Sequence, residues 1–441
     1  MDINYAEEID NLRTNDDFLE KREQWLGHTV VIMGFHTICN VEQTAAKLQQ
    51  HVAEAAASSG NLSDLLRLIG SVAHSNAAAA VSAIQDGKLV VYVVSRMQYY
   101  VVEPVPCLLE RPVDTPSNEN VLQGSQNAFN EDIDTNIGLV RKQYHSPNLR
   151  VKSFIAGTHS QKKLAVLYDQ QHVDPELLKK AIDQIESKLD MEINNVQNVS
   201  KMLGLSPWQA ISKFNTTELA QEGVASLTDG RLILFVDRIP VALVFPNLLW
   251  DMFVMGNDRN YPQLLMVAIR TVRILGLILT VLVPGFYVAL VAVNPEVLRI
   301  ELALTVAHSR EAVPYPAITE VILMLVILEL IMEASVRLPK AIGPTITVVG
   351  GIILGQAVVT AKLVSNLLII ILAATTIANS TVVGFQNSLS IRLFKYLLVA
   401  LAAIYGVLGI LVGLVFLCAY LASLNTLDVS YIKFSLKRRE T

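Results

Sequence analysis

At 441 residues the chain is too long for one compact core and should divide into two or three units. Hydrophobic residues make up 52% and charged residues 17%, with a mean hydropathy of +0.42, more apolar than a soluble domain at about 45 to 50% apolar and about 25% charged. A net charge of −5 without a dense basic stripe gives no electrostatic reason for a nucleic-acid partner, and the scattered Cys39, Cys107 and Cys418 form neither a disulfide framework nor a zinc set.

The N-terminus, Met1 to Lys21, is acidic and polar with no apolar core of a signal peptide, so residues 1–24 read as a flexible lead and the N-terminal half should begin in the cytoplasm. Up to about Trp250 the composition is an ordinary globular mixture, and from Leu264 charges become sparse, which puts the main boundary in the 250s.

Strands at Thr29–Met33 and Leu164–Tyr168 each precede an amphipathic helix, Val41–Ala57 and Pro175–Leu189; Asp174 is placed as the N-cap of the second, with proline in its first turn. Downstream, residues 83–93 align without a gap on residues 226–236, each with Asp-Gly (Asp86-Gly87, Asp229-Gly230) ahead of a β-branched run. A second run, Tyr99–Val102 or Val241–Phe245, completes a hairpin. Two related α/β subdomains, 25–110 and 125–250, joined by a linker at 111–124, are expected; against this, any two strand-turn-strand units look alike over eleven residues. No phosphate-cradling glycine loop, nucleophile elbow or metal-spaced histidine pair occurs, so neither catalytic residues nor a cofactor or metal is expected.

A membrane span needs about 20 apolar residues. Ile274–Val293, Ala317–Ala334, Ile342–Val364, Leu367–Phe385 and Leu397–Leu424 qualify, giving a helical unit at 264–425 and a basic tail at 426–441. Asn294–Val313 is too charged to cross. Pro284 and Gly285 should break the first run, and Pro314 and Pro316 should form the turn before the second. The basic flanks Arg270/Arg273, Arg337/Lys340, Arg392/Lys395 and the tail prefer the cytoplasm, which favours an even count of crossings, taken as four. Gly351 with Gly355, and Gly409 with Gly413, provide small faces for packing within the chain or between copies. The fold class is thus a multi-domain membrane protein, an N-terminal α/β half of two related α+β subdomains followed by an all-α transmembrane helix bundle.

Ionisable residues in the second run carry the functional reading. A charge at mid-membrane costs at least about 2.5 kcal/mol unless it faces protein or water. Glu329, Glu333 and Arg337 share one helix face, so Glu333 pairs with Arg337 while Glu329 sits deeper; Glu320 points elsewhere, near Pro316, where interfacial water would hold it. Two readings stand side by side: an ion or proton path, or structural buried pairs.

Several motifs together resemble those of the A subunits of bacterial spore germinant receptors of the GerA type. They are Pro284-Gly285-Phe286-Tyr287-Val288-Ala289-Leu290, the run Ser309 to Pro316, Glu329 to Pro339, Ile342-Gly343-Pro344, Gly355 to Val359 and Val364-Ser365. In the N-terminal half, Thr135-Asn136-Ile137-Gly138-Leu139-Val140-Arg141 looks like the family's short helix. The resemblance implies a subunit of the spore inner membrane, with its N-terminal domain on the cytoplasmic side. It implies partners as well: membrane lipid, a transporter-like B subunit that senses nutrient, a lipoprotein C subunit and further copies of itself. Such A subunits are thought to oligomerise into a channel that releases monovalent cations. The chain departs from the pattern at Gly124 to Glu131, at Met332 and at Leu427 to Tyr431, so its tail is expected to end differently. A secondary transporter subunit and a non-conducting scaffold are the competing functions.

Overall fold

The computed structural model describes residues 9–57, 62–69, 71–74, 77–105, 125–206, 208–337, 351, 355–434 and 436. The linker at 111–124, the motifs at 342–350 and most of the run to Val364 lie outside them.

The first unit contains β1 (Phe18–Trp25), β2 (His28–Phe35), α1 (Val41–Ala57), α2 (Leu62–Ile69), β3 (Ser71–His74), α3 (Ala77–Gln85), β4 (Leu89–Val93) and β5 (Gln98–Val102). Its sheet runs β1-β2-β4-β5-β3, antiparallel throughout. The sheet starts at Phe18, inside the segment the composition assigns to a flexible lead. β1 is an edge strand, and its Glu20, Lys21, Arg22 and Glu23 give it the polar look of a tail.

The second unit repeats the plan: α4 (Ile133–Gln143), β6 (Leu149–Ala156), β7 (Lys162–Asp169), α5 (Pro175–Glu186), α6 (Val196–Met202), β8 (Asn215–Thr217), α7 (Ala220–Thr228), β9 (Leu232–Val236) and β10 (Ala242–Phe245). Its sheet order, β6-β7-β9-β10-β8, matches the first position by position, again antiparallel throughout. The aligned segments fall on α3–β4 and α7–β9, so each Asp-Gly turns a helix into a strand; Gly87 and Gly230 take φ +81° and +80° there, a conformation glycine adopts without steric cost. Asp174 caps α5 by accepting from the Glu176 N–H, with Pro175 in the first turn. β9 and β10 are buried along their whole length because apolar layers cover both faces of the sheet, one around Leu177, Ile185 and Met202 and the other around Ile137 and Leu227.

The two units meet through α4. Arg141 forks onto Asp17, Nε to Oδ2 and Nη2 to Oδ1 both at 2.6 Å, with the side chains only 5% and 3% exposed. Its guanidinium lies 3.8 Å from the centroid of the Phe35 ring. Gly138 leaves no space between α4 and the Thr37 carbonyl, with which a Cβ would collide. Residues 15–17 extend along β6, where Asp16 donates to the Val151 carbonyl and Asn15 Oδ1 accepts from the Val151 N–H. A more exposed cluster flanks this joint: Asp134 accepts from Lys163 at 2.5 Å and lies 3.8 Å from His36 Nε2.

The helical half contains α8 (Gln263–Val288), α9 (Ile300–Arg310), α10 (Ala317–Arg337), α11 (Asn366–Asn379) and α12 (Phe385–Ser423). Gln263–Val293 and Gln386–Ser423 are long and apolar enough to cross a membrane, with mean hydropathies of 2.5 and 2.7. α10 is comparably long but carries Glu320, Glu329, Glu333 and Arg337. No break occurs at Pro284-Gly285. α8 continues through them, packed against Leu398 and Ala402, and the irregularity is absorbed one turn later as a π segment, Ala289–Val293. Pro314 and Pro316 lie in the turn between α9 and α10.

The last apolar run reverses direction. A straight helix would separate Phe394 from Tyr420 by about 39 Å at 1.5 Å per residue, yet their ring centroids are 5.8 Å apart. Gly406, at φ 62° and ψ −138°, turns the run back on itself. Beyond it Gly409 abuts the Leu401 carbonyl, and Gly413 packs on Leu398 and Leu401, so this small face closes the two arms. Asn294, just past α8, accepts from the Val407 N–H at 3.1 Å and caps the returning arm. A Cβ at Gly351 or Gly355 would meet no described residue within 4 Å.

Both ends of this hairpin lie beside the α/β half. Val383, just ahead of α12, donates to the Met252 carbonyl, and Tyr431, just past it, accepts from the Leu249 N–H at 2.9 Å. The segment whose family pattern differs, Leu427 to Tyr431, forms with Asn425–Thr426 a small hairpin, β11 (Asn425–Thr426) and β12 (Val429–Ser430), that packs Val429 into the core of the second unit. α8, α10, α11 and the two arms of α12 run between this near end and a distal end. Among the described residues these are five passes, and the segment between Arg337 and Gly355 lies largely outside them.

Two measurements check this architecture. Cysteines placed by Phe394→Cys and Tyr420→Cys should be joined by a short bifunctional thiol reagent, which a straight helix would forbid. The flanking cluster sets a pH window. The contact with His36, then the bond from Lys163, holds Asp134 at about 2 against burial, and the same contact with Asp134 raises His36 above 6.5. The Asp134 contribution is present above 3.8 and is lost as pH falls through about 2; the His36 contribution is complete below 6.5 and is lost as pH rises through its raised value. His36→Gln should therefore lower the melting temperature of the whole chain below pH 6.5, by about 1 to 2 °C for a part-exposed pair, and the difference should close at higher pH.

Candidate functional site

The acidic residues of α10 separate into three environments. Glu320 is wholly buried, not held by water as its position near Pro316 suggests. Its Oε1 accepts from Arg310 Nε at 2.9 Å and Nη2 at 2.8 Å, and its Oε2 accepts from the Ser365 N–H at 3.1 Å. Arg310 also donates to the Tyr315 carbonyl, and the Ser365 hydroxyl lies 3.1 Å from the Tyr287 hydroxyl while capping α11 through the Leu368 N–H. One carboxylate thereby ties α8, α9, α10 and α11 at the distal end. The physical reason is the cost of an uncompensated charge away from water, which only a cation with satisfied hydrogen bonds offsets.

Glu329 lies toward the near end, where its carboxylate bridges α10 and α12: Oε1 accepts from Arg392 Nη1 at 2.6 Å and Oε2 from the Tyr396 hydroxyl at 2.5 Å. Arg392 is buried, its Nε without a partner among the described residues, whereas the Glu329 side chain is 37% exposed. Lys395, also buried, places its ammonium 5.1 Å from the Tyr396 ring centroid. Glu333 and Arg337 pair at 2.6 Å on the exposed face of α10, as spacing of four allows.

The junction between the halves is a third cluster. Asp258 is buried and takes a two-pronged Arg273, at 2.5 and 2.8 Å, and the Met255 N–H at 3.1 Å; Arg273 Nη1 also reaches the Phe253 carbonyl. Burial pushes the Asp258 carboxyl up, but the Arg273 hydrogen bond and backbone donor hold it below the usual range. Beside it opens a cavity of about 1160 Å³ lined among others by Thr217, Glu218 and Glu222 of the α/β half, Arg273 of α8, Thr381 of the α11–α12 turn and Asn387 of α12. Burial raises the Glu222 carboxyl, opposed chiefly by Arg259, and Gly256 packs so closely on that carboxylate that no Cβ fits.

Sequence reading singled out Glu320, Glu329, Glu333 and Arg337 but not the partners Arg310, Tyr287, Ser365, Arg392 and Tyr396. A signal existed: Tyr287, Arg310 and Ser365 each lie in a motif quoted for the family resemblance, and the fold brings the three together on Glu320. Among the described residues no three His, Cys, Asp or Glu side chains converge as a metal site.

These features define a class: a duplicated α/β half docked on apolar helices whose polar centres are closed by arginine. The chain belongs to the Bacillus/Clostridium GerA spore germination protein family, which matches it over residues 8–440. It is 32% identical over 325 residues to the spore germination protein GerLA of Bacillus cereus, covering 73% of this chain and 65% of that protein. It is 30% identical over 323 residues to the uncharacterized membrane protein YfkQ of Bacillus subtilis, covering 73% and 63%. The match thus spans a little under two thirds of each of these relatives. Among solved structures, the N-terminal domain of the A subunit of the Bacillus megaterium spore germinant receptor GerK3 aligns at 16% identity and a TM-score of 0.38, covering 55% of this chain and 92% of that one.

The closed distal cluster gives a stability prediction. Glu320→Gln should cost about 3 to 5 kcal/mol by leaving the part-buried Arg310 without its anion, read as a lower unfolding midpoint in detergent. Adding Arg310→Met to Glu320→Met should recover most of that loss.

Proposed function

We propose that the chain is the membrane subunit of a spore germinant receptor, anchored in the spore inner membrane with its α/β half on the cytoplasmic side. It converts nutrient sensing by a transporter-like partner into cation release. Copies of the chain assemble around the conducting path, and a lipoprotein completes the receptor. An even number of crossings would return the basic tail to the side of the α/β half, as its charges prefer.

The observation that supports conduction is Glu329. It is an ionisable group clamped between α10 and α12 by a buried arginine and a tyrosine, yet its carboxylate stays partly open. Ionisable residues within apolar helices mark ion pathways more often than they serve packing. A movement of α10 against α12 that releases Arg392 would leave the carboxylate free to attract a cation. The wholly closed Glu320 cluster favours a second role for the same helix, a fixed frame on which the receptor assembles.

Cation flux from the purified chain in liposomes separates the two. Wild-type flux that falls by at least about tenfold in Glu329→Gln, the effect of about 1.4 kcal/mol at the path, supports conduction through this site. Intact oligomers without flux under any condition make the chain a scaffold.

A further inference from the structure

The segment at 208–214 of the α/β half is pinned to both arms of the helical hairpin. The Ala210 N–H donates to the Tyr420 hydroxyl at 3.0 Å, the Ala210 carbonyl accepts from Ser390 Oγ at 2.5 Å, and Ile211 is buried with Phe394 and Tyr431. Two residues before this anchor, Trp208 is 94% exposed. A large aromatic fixed at a docked position and left bare is costly in water, and tryptophan is the residue favoured at membrane headgroups.

Beside it runs a groove of about 560 Å³ between the α/β half and the first turns of α12, lined among others by Gln209, Lys213, Gln386, Leu389, Ser390 and Leu393. Gln209 Oε1 is buried without a hydrogen bond among the described residues. Among the described residues no carboxylate lies within 4 Å of the Lys213 ammonium, and burial lowers its affinity for the proton, as for a cation lacking its counterion. On α12, Leu389, Leu393 and Leu397 recur every four residues, are all exposed, and form a strip leading away from the groove. Arg392 and Lys395 are the last charges of α12, and none follows until Asp428, so the groove sits where charged residues give way to hydrocarbon-compatible sequence.

We propose that this groove seats the headgroup of an anionic phospholipid, its phosphate on Lys213 with the polar lining around it and its acyl chains along Leu389, Leu393 and Leu397. Trp208 lies in the headgroup layer beside it. The site rests on the membrane reading of the helical half. It gives the α/β half a direct hold on the lipid next to the hairpin, so that leaflet charge bears on how the two halves dock.

The test uses the full chain in vesicles of phosphatidylcholine and phosphatidylglycerol, with either lipid brominated at the same mole fraction. Trp208 emission is taken as the difference between wild type and Trp208→Phe, which removes Trp25 and Trp250 from the signal. The expected result is stronger quenching by brominated phosphatidylglycerol, corresponding to about fivefold enrichment, the factor given by one basic residue near a charged surface. Lys213→Gln should abolish the preference while quenching by bulk lipid persists. Equal quenching by the two lipids overturns the proposal, as does a Trp208 shielded from both lipids and acrylamide, which would mark a protein contact. Flotation with the vesicles in the same samples reports on the membrane reading separately: a chain that floats without lipid preference refutes only the groove, and one that does not float refutes both.

Discussion

A carboxylate removed from water must bring its cation with it, and the architecture of this protein follows from where those pairs are made. Arg141 and Asp17 join the two α/β units, Arg273 and Asp258 join the α/β half to α8, Arg310 and Glu320 close the distal end, and Arg392 and Glu329 hold α10 to α12. In every case arginine is the cation. At Asp17 and Asp258 its planar fork satisfies both carboxylate oxygens, at Glu320 it adds a backbone carbonyl, and it keeps its charge when buried. Such pairs add little net stability over apolar packing, but breaking one strands a charge. They therefore act as registration points that permit few alternative dockings.

The pairs differ in how completely they are closed, and that difference bears on function. Glu320 has no exposed surface and every neighbour holds it in place. Glu329 keeps contact with the outside while its partner Arg392 is buried, with one nitrogen unpartnered among the described residues. The Glu329 end is therefore the less secured end of α10 and the Glu320 end the more firmly held.

The docking of the halves couples them through several contacts. The helical hairpin of α12 begins and ends against the second α/β unit, and the short β11–β12 hairpin inserts Val429 into that unit's core. A rotation of the unit would move both arms together, since Ala210 holds Ser390 with its carbonyl and Tyr420 with its N–H. Gly409 and Gly413 keep the arms close enough to respond as one body.

Features with a short reach along the chain were legible in the sequence. The hairpins β4–β5 and β9–β10, the Asp174 cap with Pro175, the α10 helix and the Glu333–Arg337 pair all depend on residues a few positions apart, where periodicity and turn chemistry act directly. The start of β1 was hidden because an edge strand in water carries charges as a tail does. Gly406 was hidden because an apolar run with glycines reads the same whether it continues or reverses; only the packing of Phe394 on Tyr420 and the Asn294 cap select the reversal. The partners of Glu320 and Glu329 were hidden for a related reason. Composition and spacing showed that buried carboxylates needed cations, but several arginines were equally eligible, and the choice of Arg310 and Arg392 was made by the packing that brings α9 and α12 against α10.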